Sequence, residues 1–476
     1  MQQLTTLARD SRALAALAVP LALTQLAQVA LTTTDTIMMG VLGTEALAAG
    51  GLALVIFNQL RTMGVGLVTS VGNQIAAAAA RIESTTSSTE ADPGVTAGPD
   101  AEVRGLVRAA MAVATFAGTA GAVLMILIGQ ASTYLGQDAA VANQAQGMLA
   151  ALAPGLLPCL WFQAIRQFTV GMRRPQALLQ ITIASVAVNA ALNWPFIQGT
   201  WGMPELGLTG IGVATSSVYL LSFFALYASA RRDPQLAALL SLSFWKADGP
   251  TVRRLLGLGT PIAATYGSEA GFFSVTALLA GSFGAAALAA HTAVNQLIYI
   301  VFQVAVGLSH AASINVSREL ALGKYDTARR IKNTALACGA AVMTIIGALY
   351  LTLPDLVLQP YFDPDSVADQ QGLHIATGLL AVVAVLQFVD CAQNIGVGLL
   401  RGLDDTKSGF RITLIGYWLV GLPASLLLAY PFGGQTRGLW LGLLIGLATT
   451  AVLLLRRYSQ TLTTRAETNP APATTA

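Results

Sequence analysis

Long apolar runs separated by short polar joints dominate this chain. A bilayer-spanning helix needs roughly 20 mostly apolar residues, and about twelve segments meet that length. They lie near 13–38, 45–79, 104–129, 140–169, 176–198, 207–230, 250–281, 285–316, 328–353, 371–400, 407–430 and 434–455. The runs are continuous and lack period-two alternation, which excludes a long β-barrel. The expected fold class is an all-α polytopic membrane protein.

Composition agrees with this pattern. Charged residues make up 10% of the 476 residues and hydrophobic residues 54%, with a mean hydropathy of +0.64. A soluble domain usually carries about 25% charge. The net charge of +3 is too small to suggest a nucleic-acid partner, so the expected partners are the lipid bilayer and a small molecule.

Basic residues cluster at the termini and in the even-numbered joints: Arg9 and Arg12, Arg81, Arg173 and Arg174, Arg231 to Arg254, Arg318 to Lys332, Arg401 to Arg411, and Arg456 with Arg457. The odd-numbered joints hold Glu45, Asp138, Glu205, Asp355, Asp363, Asp365 and Asp369, with Arg437 as their one basic residue. The positive-inside rule then places both termini in the cytoplasm, as expected of a bacterial inner-membrane protein. The first apolar run continues as a long helix, unlike a cleavable signal. Cys159, Cys338 and Cys391 lie in apolar segments, so no disulfide framework is expected. The Ser/Thr-rich joint at 83–102 reads as a solvated cytoplasmic insertion, and 461–476 as a disordered cytoplasmic tail.

The two halves resemble each other. "VPLALTQLAQVALTTTDT" at Val19–Thr36 matches "TPIAATYGSEAGFFSVTA" at Thr260–Ala277, an offset of 241 residues. The same offset aligns "LGTEALAAG" from Leu42 with "FGAAALAAH" from Phe283, and an offset of 231 aligns "GMRRP" from Gly171 with "GLDDT" from Gly402. The expected organisation is an N-terminal six-helix lobe over 1–235 and a C-terminal one over 236–460. An even helix number gives both lobes the same orientation, related by a pseudo-two-fold axis along the membrane normal. Two equivalent bundles suit alternating access. Small-residue packing offers a plainer source of such similarity.

Polar residues inside the apolar runs carry the candidate chemistry. Thr24, Gln28, Thr32 and Asp35 recur every three or four residues and form one stripe on the first helix. Thr182, Ser185, Asn189 and Asn193 do so on the fifth, Thr265, Glu269 and Thr276 on the seventh, and Gln387, Asp390 and Asn394 on the tenth. A charge at membrane depth costs roughly 2.5–3.5 kcal/mol even on lenient scales, and such residues usually face a protein interior or a wet cavity. Paired asparagines one turn apart offer groups that hydrogen-bond a protonated acid or help hold a small cation. An inert ion pair is the plain alternative, and Arg61 is the obvious base. One arginine does not neutralise three acids, so the others must be protonated, bind a cation or touch water.

Under the 241 offset Glu269 falls opposite Gln28 and Asp35 opposite Thr276, so the acids occupy different levels in the two halves. A coupled transporter with distinct ion and substrate sites can use that asymmetry. Gln28, Phe272, Tyr299, Gln387 and Phe388 are candidate walls of a substrate cavity for organic cations, aromatic rings being suited to cation–π contact. His291, His310 and His374 have no metal-ligand spacing, and no glycine-rich phosphate loop is present.

At these positions the chain resembles the multidrug and toxic compound extrusion (MATE) transporters, in particular the NorM-type branch. "TTDTIMMGVLGTEALAAGGLA" is similar to that family's first-helix signature, with its acid at Asp35. "TPIAATYGSEAGFF" resembles the seventh-helix segment with its acid at Glu269. "DCAQNIGVGLLRGLDDT" resembles the tenth-helix motif with its acid at Asp390, and "NAALNW" carries the paired asparagines Asn189 and Asn193. The resemblance runs from Arg12 to Arg457. It implies two six-helix lobes that export organic cations against an inward H⁺ or Na⁺ gradient, with no cofactor beyond the coupling ion and a functional monomer. It also implies a Na⁺ or H⁺ site at Glu269 and Asp390, and proton coupling at Asp35 with Asn189 and Asn193. Some relatives place an aromatic ring one turn before the tenth-helix acid, where this chain has Leu386 with Phe388 nearby. Two alternatives stand beside this reading. A lipid-linked glycan flippase would line its cleft with cations, of which Arg61 and Arg166 are the only examples. A membrane-embedded hydrolase would need an acid dyad, for which Glu269 and Asp390 would have to meet.

Overall fold

The computed structural model describes residues 2–87, 99–131, 139–202, 204–363 and 366–468. Twelve long helices occupy the twelve apolar segments: α1 Gln2–Val41, α2 Thr44–Ser87, α3 Pro99–Ala131, α4 Ala139–Gly171, α5 Gln176–Gln198, α6 Leu208–Arg232, α7 Gly249–Gly281, α8 Ala285–Ala321, α9 Tyr325–Thr352, α10 Val367–Gly402, α11 Thr406–Ala429 and α12 Gln435–Thr468. No strand occurs among the described residues. Eleven of these helices are apolar and long enough to cross a bilayer. The exception, α7, has the length, but Thr265, Tyr266, Ser268 and Glu269 dilute its apolar character. That polar run lowers the mean hydropathy of the whole helix.

The helices form two compact units. The N-terminal unit comprises Leu23–Tyr266, and the C-terminal unit comprises Gly267–Ala476 together with Met1–Ala22. These units differ from the expected division at 235/236. The first half of α1 packs with the C-terminal helices, and the first half of α7 packs with the N-terminal ones. Close backbone approach accounts for both. A Cβ on Gly66 of α2 would lie 2.6 Å from Ala263 Cα in α7, and one on Gly307 of α8 would lie 2.7 Å from Ala22 Cα in α1. Both pairs obey the 241 offset. Where lipid surrounds the helices, such small-residue contacts are a main source of helix association.

Three further features carry the repeat into the backbone. Pro20 interrupts α1 and Pro261 interrupts α7. Gly43 before α2 and Gly284 before α8 share a left-handed φ, +108° and +103°. Arg173 and Asp404, matched by the 231 offset, are both left-handed non-glycine residues at +58° and +60°. Each sits in the same helix-ending turn: Arg174 N–H donates to Thr169 C=O at 2.8 Å, and Asp405 N–H to Leu400 C=O at 3.0 Å. That six-to-one bond satisfies carbonyls a helix end would leave unpaired.

Within the N-terminal unit, α4 packs against α2, α3 and α6, around Met39, Phe57, Met148, Leu149, Leu156 and Ile211. In the C-terminal unit α10 packs against α8, α9 and α12. The insertion expected at 83–102 falls mostly outside the described residues, and α2 and α3 extend into its two ends. The tail is corrected in part: α12 runs to Thr468, so 461–468 is helical rather than disordered. Leu462 is buried and Arg465 Nη2 donates to the Leu403 carbonyl at 2.8 Å. Residues 469–476 lie outside the described residues.

The close approach at Gly307 makes a stability prediction. Gly307→Ala should destabilise the purified protein by about 1–3 kcal/mol through overpacking against Ala22. Gly257→Ala, where an added Cβ meets nothing within 4 Å, should leave the thermal midpoint unchanged or slightly raised. Thermal unfolding of the two variants in one detergent checks both; equal midpoints would remove the close-packing account.

Candidate functional site

The acids at membrane depth occupy two separate sites, one inside each unit. In the N-terminal unit, Asp35 is 1% exposed, six residues before the end of α1. Asn189 and Asn193 point from α5 onto one of its oxygens: their Nδ2 atoms donate to Oδ1 at 2.7 and 3.0 Å. Their four-residue spacing stacks them on one helix face. Thr215 of α6 donates to Oδ2 at 2.9 Å. Asn189, Asn193 and Thr215 are all buried. The carboxylate therefore accepts three neutral donors from two helices. The Oδ1 atoms of Asn189 and Asn193 are themselves buried with no partner, so acceptor oxygens remain beside the acid. The rest of the α5 stripe is self-satisfied, Thr182 on Leu178 C=O and Ser185 against Ser222 of α6.

In the C-terminal unit, Glu269 is half-buried on α7 and Asp390 is 5% exposed on α10. The two lie within electrostatic range of each other, and Tyr417 lies within range of both. Tyr417 Oη donates to Glu269 Oε1 at 3.2 Å. Asn394 Nδ2 reaches Asp390 Oδ1 at 3.3 Å and its backbone oxygen at 3.0 Å. The local backbone explains the reach of Tyr417. Residues Ile415–Gly421 of α11 form a π-helical turn, a feature frequent at functional sites. The wider turn brings consecutive aromatic residues onto α7, with Trp418 Nε1 donating to Ser268 Oγ at 2.8 Å. Gly416 and Gly421 flank them, and Gly421 leaves room for Phe272.

Among the described residues, no ion pair involves Asp35, Glu269 or Asp390. The inert-tie reading with Arg61 therefore fails for all three. The Arg61 Nε donates instead to Asn58 Oδ1 at 3.3 Å. Low dielectric makes an uncompensated carboxylate costly, and hydrogen bonds from neutral donors are what the structure sets against that cost at each acid.

The expected cavity walls are corrected in part. Phe272 is 1% exposed and stacks on Tyr417 at 5.0 Å, so it supports the Glu269 site instead of facing an opening. Gln387 is buried, with Nε2 donating to Met343 C=O at 2.9 Å, although its Oε1 has no partner. Phe388 is half-buried beside Gly347 of α9. Tyr299 is 45% exposed and stacks on Phe302 of its own helix, and Gln28 is half-buried. Sequence reasoning missed Thr215 and Tyr417. The run "ATSSV" and the glycine-flanked "GYWLVG" were the available signals.

Acids at membrane depth without bases, set inside all-helical units whose backbones repeat at matched positions, point to a membrane transporter. The comparisons with known proteins bear this out. The MatE family model matches residues 97–195 and 261–427. A probable multidrug resistance protein NorM from Pseudomonas aeruginosa is 35% identical over 444 residues, 93% of this chain and 88% of that protein. A counterpart in Mesorhizobium japonicum is 34% identical over 454 residues, 94% of each chain. In fold, the chain is similar to the crystal structure of the eukaryotic MATE transporter AtDTX14, with a TM-score of 0.80 at 19% identity over 97% of this chain and 99% of that one. It is likewise similar to an outward-facing multidrug resistance MATE family transporter, with a TM-score of 0.82 at 14% identity over 96% and 97%. The chain belongs to the MatE family.

Thr215→Val should lower stability by about 1–3 kcal/mol, because it strips a donor from a buried carboxylate oxygen, while Thr215→Ser should stay near wild type. Thermal unfolding near neutral pH checks this. Equal midpoints for the Val and Ser variants would mean that Oδ2 does not depend on that hydroxyl.

Proposed function

We propose that this protein exports cationic and amphipathic drugs and other toxic organic compounds in exchange for inward H⁺ or Na⁺, by alternating access. It does so as a monomer in the bacterial inner membrane with both termini in the cytoplasm, as a carrier and not an enzyme. The observation that carries this reading is the absence, among the described residues, of any ion pair on Asp35, Glu269 or Asp390. The multidrug resistance names of the NorM relatives support the substrate class.

The coupling follows from electrostatics. Glu269 and Asp390 repel each other when both are charged, so a proton, a Na⁺ or the cationic end of a substrate gains by entering. The three compete for one negative site, and linkage makes the competition reciprocal: an ion that weakens substrate binding is weakened by substrate equally. Each charge carried inward through the field is worth about 2.3 kcal/mol per 100 mV. In this mechanism Tyr417 holds Glu269 in place with a neutral donor that does not cancel its charge. Asp35 exchanges a proton within its own cage of Asn189, Asn193 and Thr215.

In proteoliposomes, ethidium flux should appear only when a gradient is imposed, and applying H⁺ and Na⁺ gradients separately identifies the coupling ion. Asp390→Asn should abolish gradient-driven flux at wild-type expression and monodispersity. Unchanged flux in that variant would overturn the ion site, and flux without any gradient would overturn antiport.

A further inference from the structure

The joint between α6 and α7 is a folded part of the N-terminal unit. Asp233 caps a short helical turn, Pro234–Ala237, with Oδ1 accepting from the Gln235 N–H at 3.0 Å. Its other oxygen pairs with Arg174. Leu236 and Leu239 are buried. Arg108 Nε of α3 donates to Ser241 Oγ at 2.9 Å, and a single 3₁₀ turn at Phe244–Lys246 packs against the same helix. The apolar run of α3 begins directly after Arg108. The joint is therefore pinned near the level where that helix enters the bilayer.

With its leucines turned inward, the joint turns two aromatic rings outward. Trp245 is 71% exposed and Phe244 38%, and the rings meet edge-on at 5.2 Å. Positive charge surrounds them. Arg231, Arg232, Lys246, Arg253 and Arg254 lie in and beside the joint, against Asp233 and Asp248. Both acids are already engaged: Asp233 with Arg174, and Asp248 Oδ2 with the Thr251 N–H at 2.9 Å. Lys246 is exposed, as is Arg104, one turn before Arg108 on the same face of α3. No ion pair among the described residues includes either.

We propose that this joint is a binding site for an anionic phospholipid. Trp245 and Phe244 seat at the boundary between acyl chains and headgroups, and Lys246 with Arg104 holds the phosphate. An indole suits that boundary because its body is apolar while its N–H stays wet. Basic side chains at a membrane surface attract anionic lipid. A second copy of the chain would also cover the rings, but a two-fold contact sets identical patches against each other. Here it would bring like positive charges together, which favours lipid as the occupant. The site needs neither a gradient nor a substrate and so goes beyond the export reading.

The full-length protein is placed in phosphatidylcholine nanodiscs with rising fractions of a brominated quencher lipid, either phosphatidylglycerol or phosphatidylcholine. The emission lost in Trp245→Leu isolates Trp245 among the six tryptophans. Both lipids should quench that emission. Half-maximal quenching should need a roughly fivefold or more lower fraction of phosphatidylglycerol, one basic residue at the surface being worth about that factor. Added salt should shrink the difference. Lys246→Gln and Arg104→Gln should each reduce the preference, and the double variant should abolish it while keeping the phosphatidylcholine quenching and the thermal midpoint. Equal quenching by the two lipids in wild type overturns the proposal, as does a preference that survives in the double variant. Trp245 emission that neither lipid quenches also overturns it, and a dimeric mass in the nanodisc would then assign the rings to a second copy. Quenching is read without gradient or substrate, so its failure leaves the export reading standing, and a failure of export leaves the lipid site standing.

Discussion

A carboxylate in a low-dielectric interior must be compensated, and the form of compensation decides what the protein can do. A fixed base would neutralise it permanently. Neutral donors hold it without cancelling its charge, which leaves the acid open to a proton or a mobile cation. Both sites are built from neutral donors: amides and a hydroxyl around Asp35, a phenol on Glu269 and an amide on Asp390. The ion pairs that do occur are elsewhere. Arg174 with Asp233, Arg457 with Asp405 and Arg330 with Asp10 join partly exposed side chains, where water screens them and their contribution is small.

The helices exist to hold these acids, and their packing uses small residues because lipid provides no hydrophobic drive between helices. The paired approaches of Gly66 to Ala263 and of Gly307 to Ala22 assign the first halves of α1 and α7 to opposite units. Each of these helices thereby carries an acid in one unit and its first half in the other: Asp35 lies beyond Ala22, and Glu269 beyond Tyr266.

Much of this was legible in the sequence. Continuous apolar runs located all twelve helices, and α5 matched its expected span of 176–198, because lipid imposes a length and a composition that any reader can count. The four-residue spacing of Asn189 and Asn193 and the depth of Asp35 pointed to one site. What escaped was whatever depends on contacts between distant segments. Thr215 is one hydroxyl in a Ser/Thr run until α6 packs on α5. Tyr417 looks like core until a π-helical turn aims it at α7. Phe272 and Gln387 looked like cavity walls because polarity and aromaticity do not reveal which face a neighbouring helix will cover. The boundary between units escaped because a glycine's close partner is invisible in one dimension, and the helical end of α12 because the bond from Arg465 to Leu403 joins residues far apart in the chain.

The repeat makes the remaining asymmetry informative. Backbone features survive at matched positions, including the left-handed Arg173 and Asp404, so the two halves have kept their architecture while their interiors diverged. Asp35 faces Thr276 across the 241 offset, and Glu269 faces Gln28. One interior has a single caged acid and a buried Arg166 in the same bundle, and the other has two acids, Glu269 held by a phenol and Asp390 by an amide. Duplicated bundles with identical interiors would bind the same ion twice. The interiors differ in the sign of buried charge on a repeated scaffold, with Arg166 in one and two acids in the other, so the two bundles present different electrostatic environments to anything that enters them.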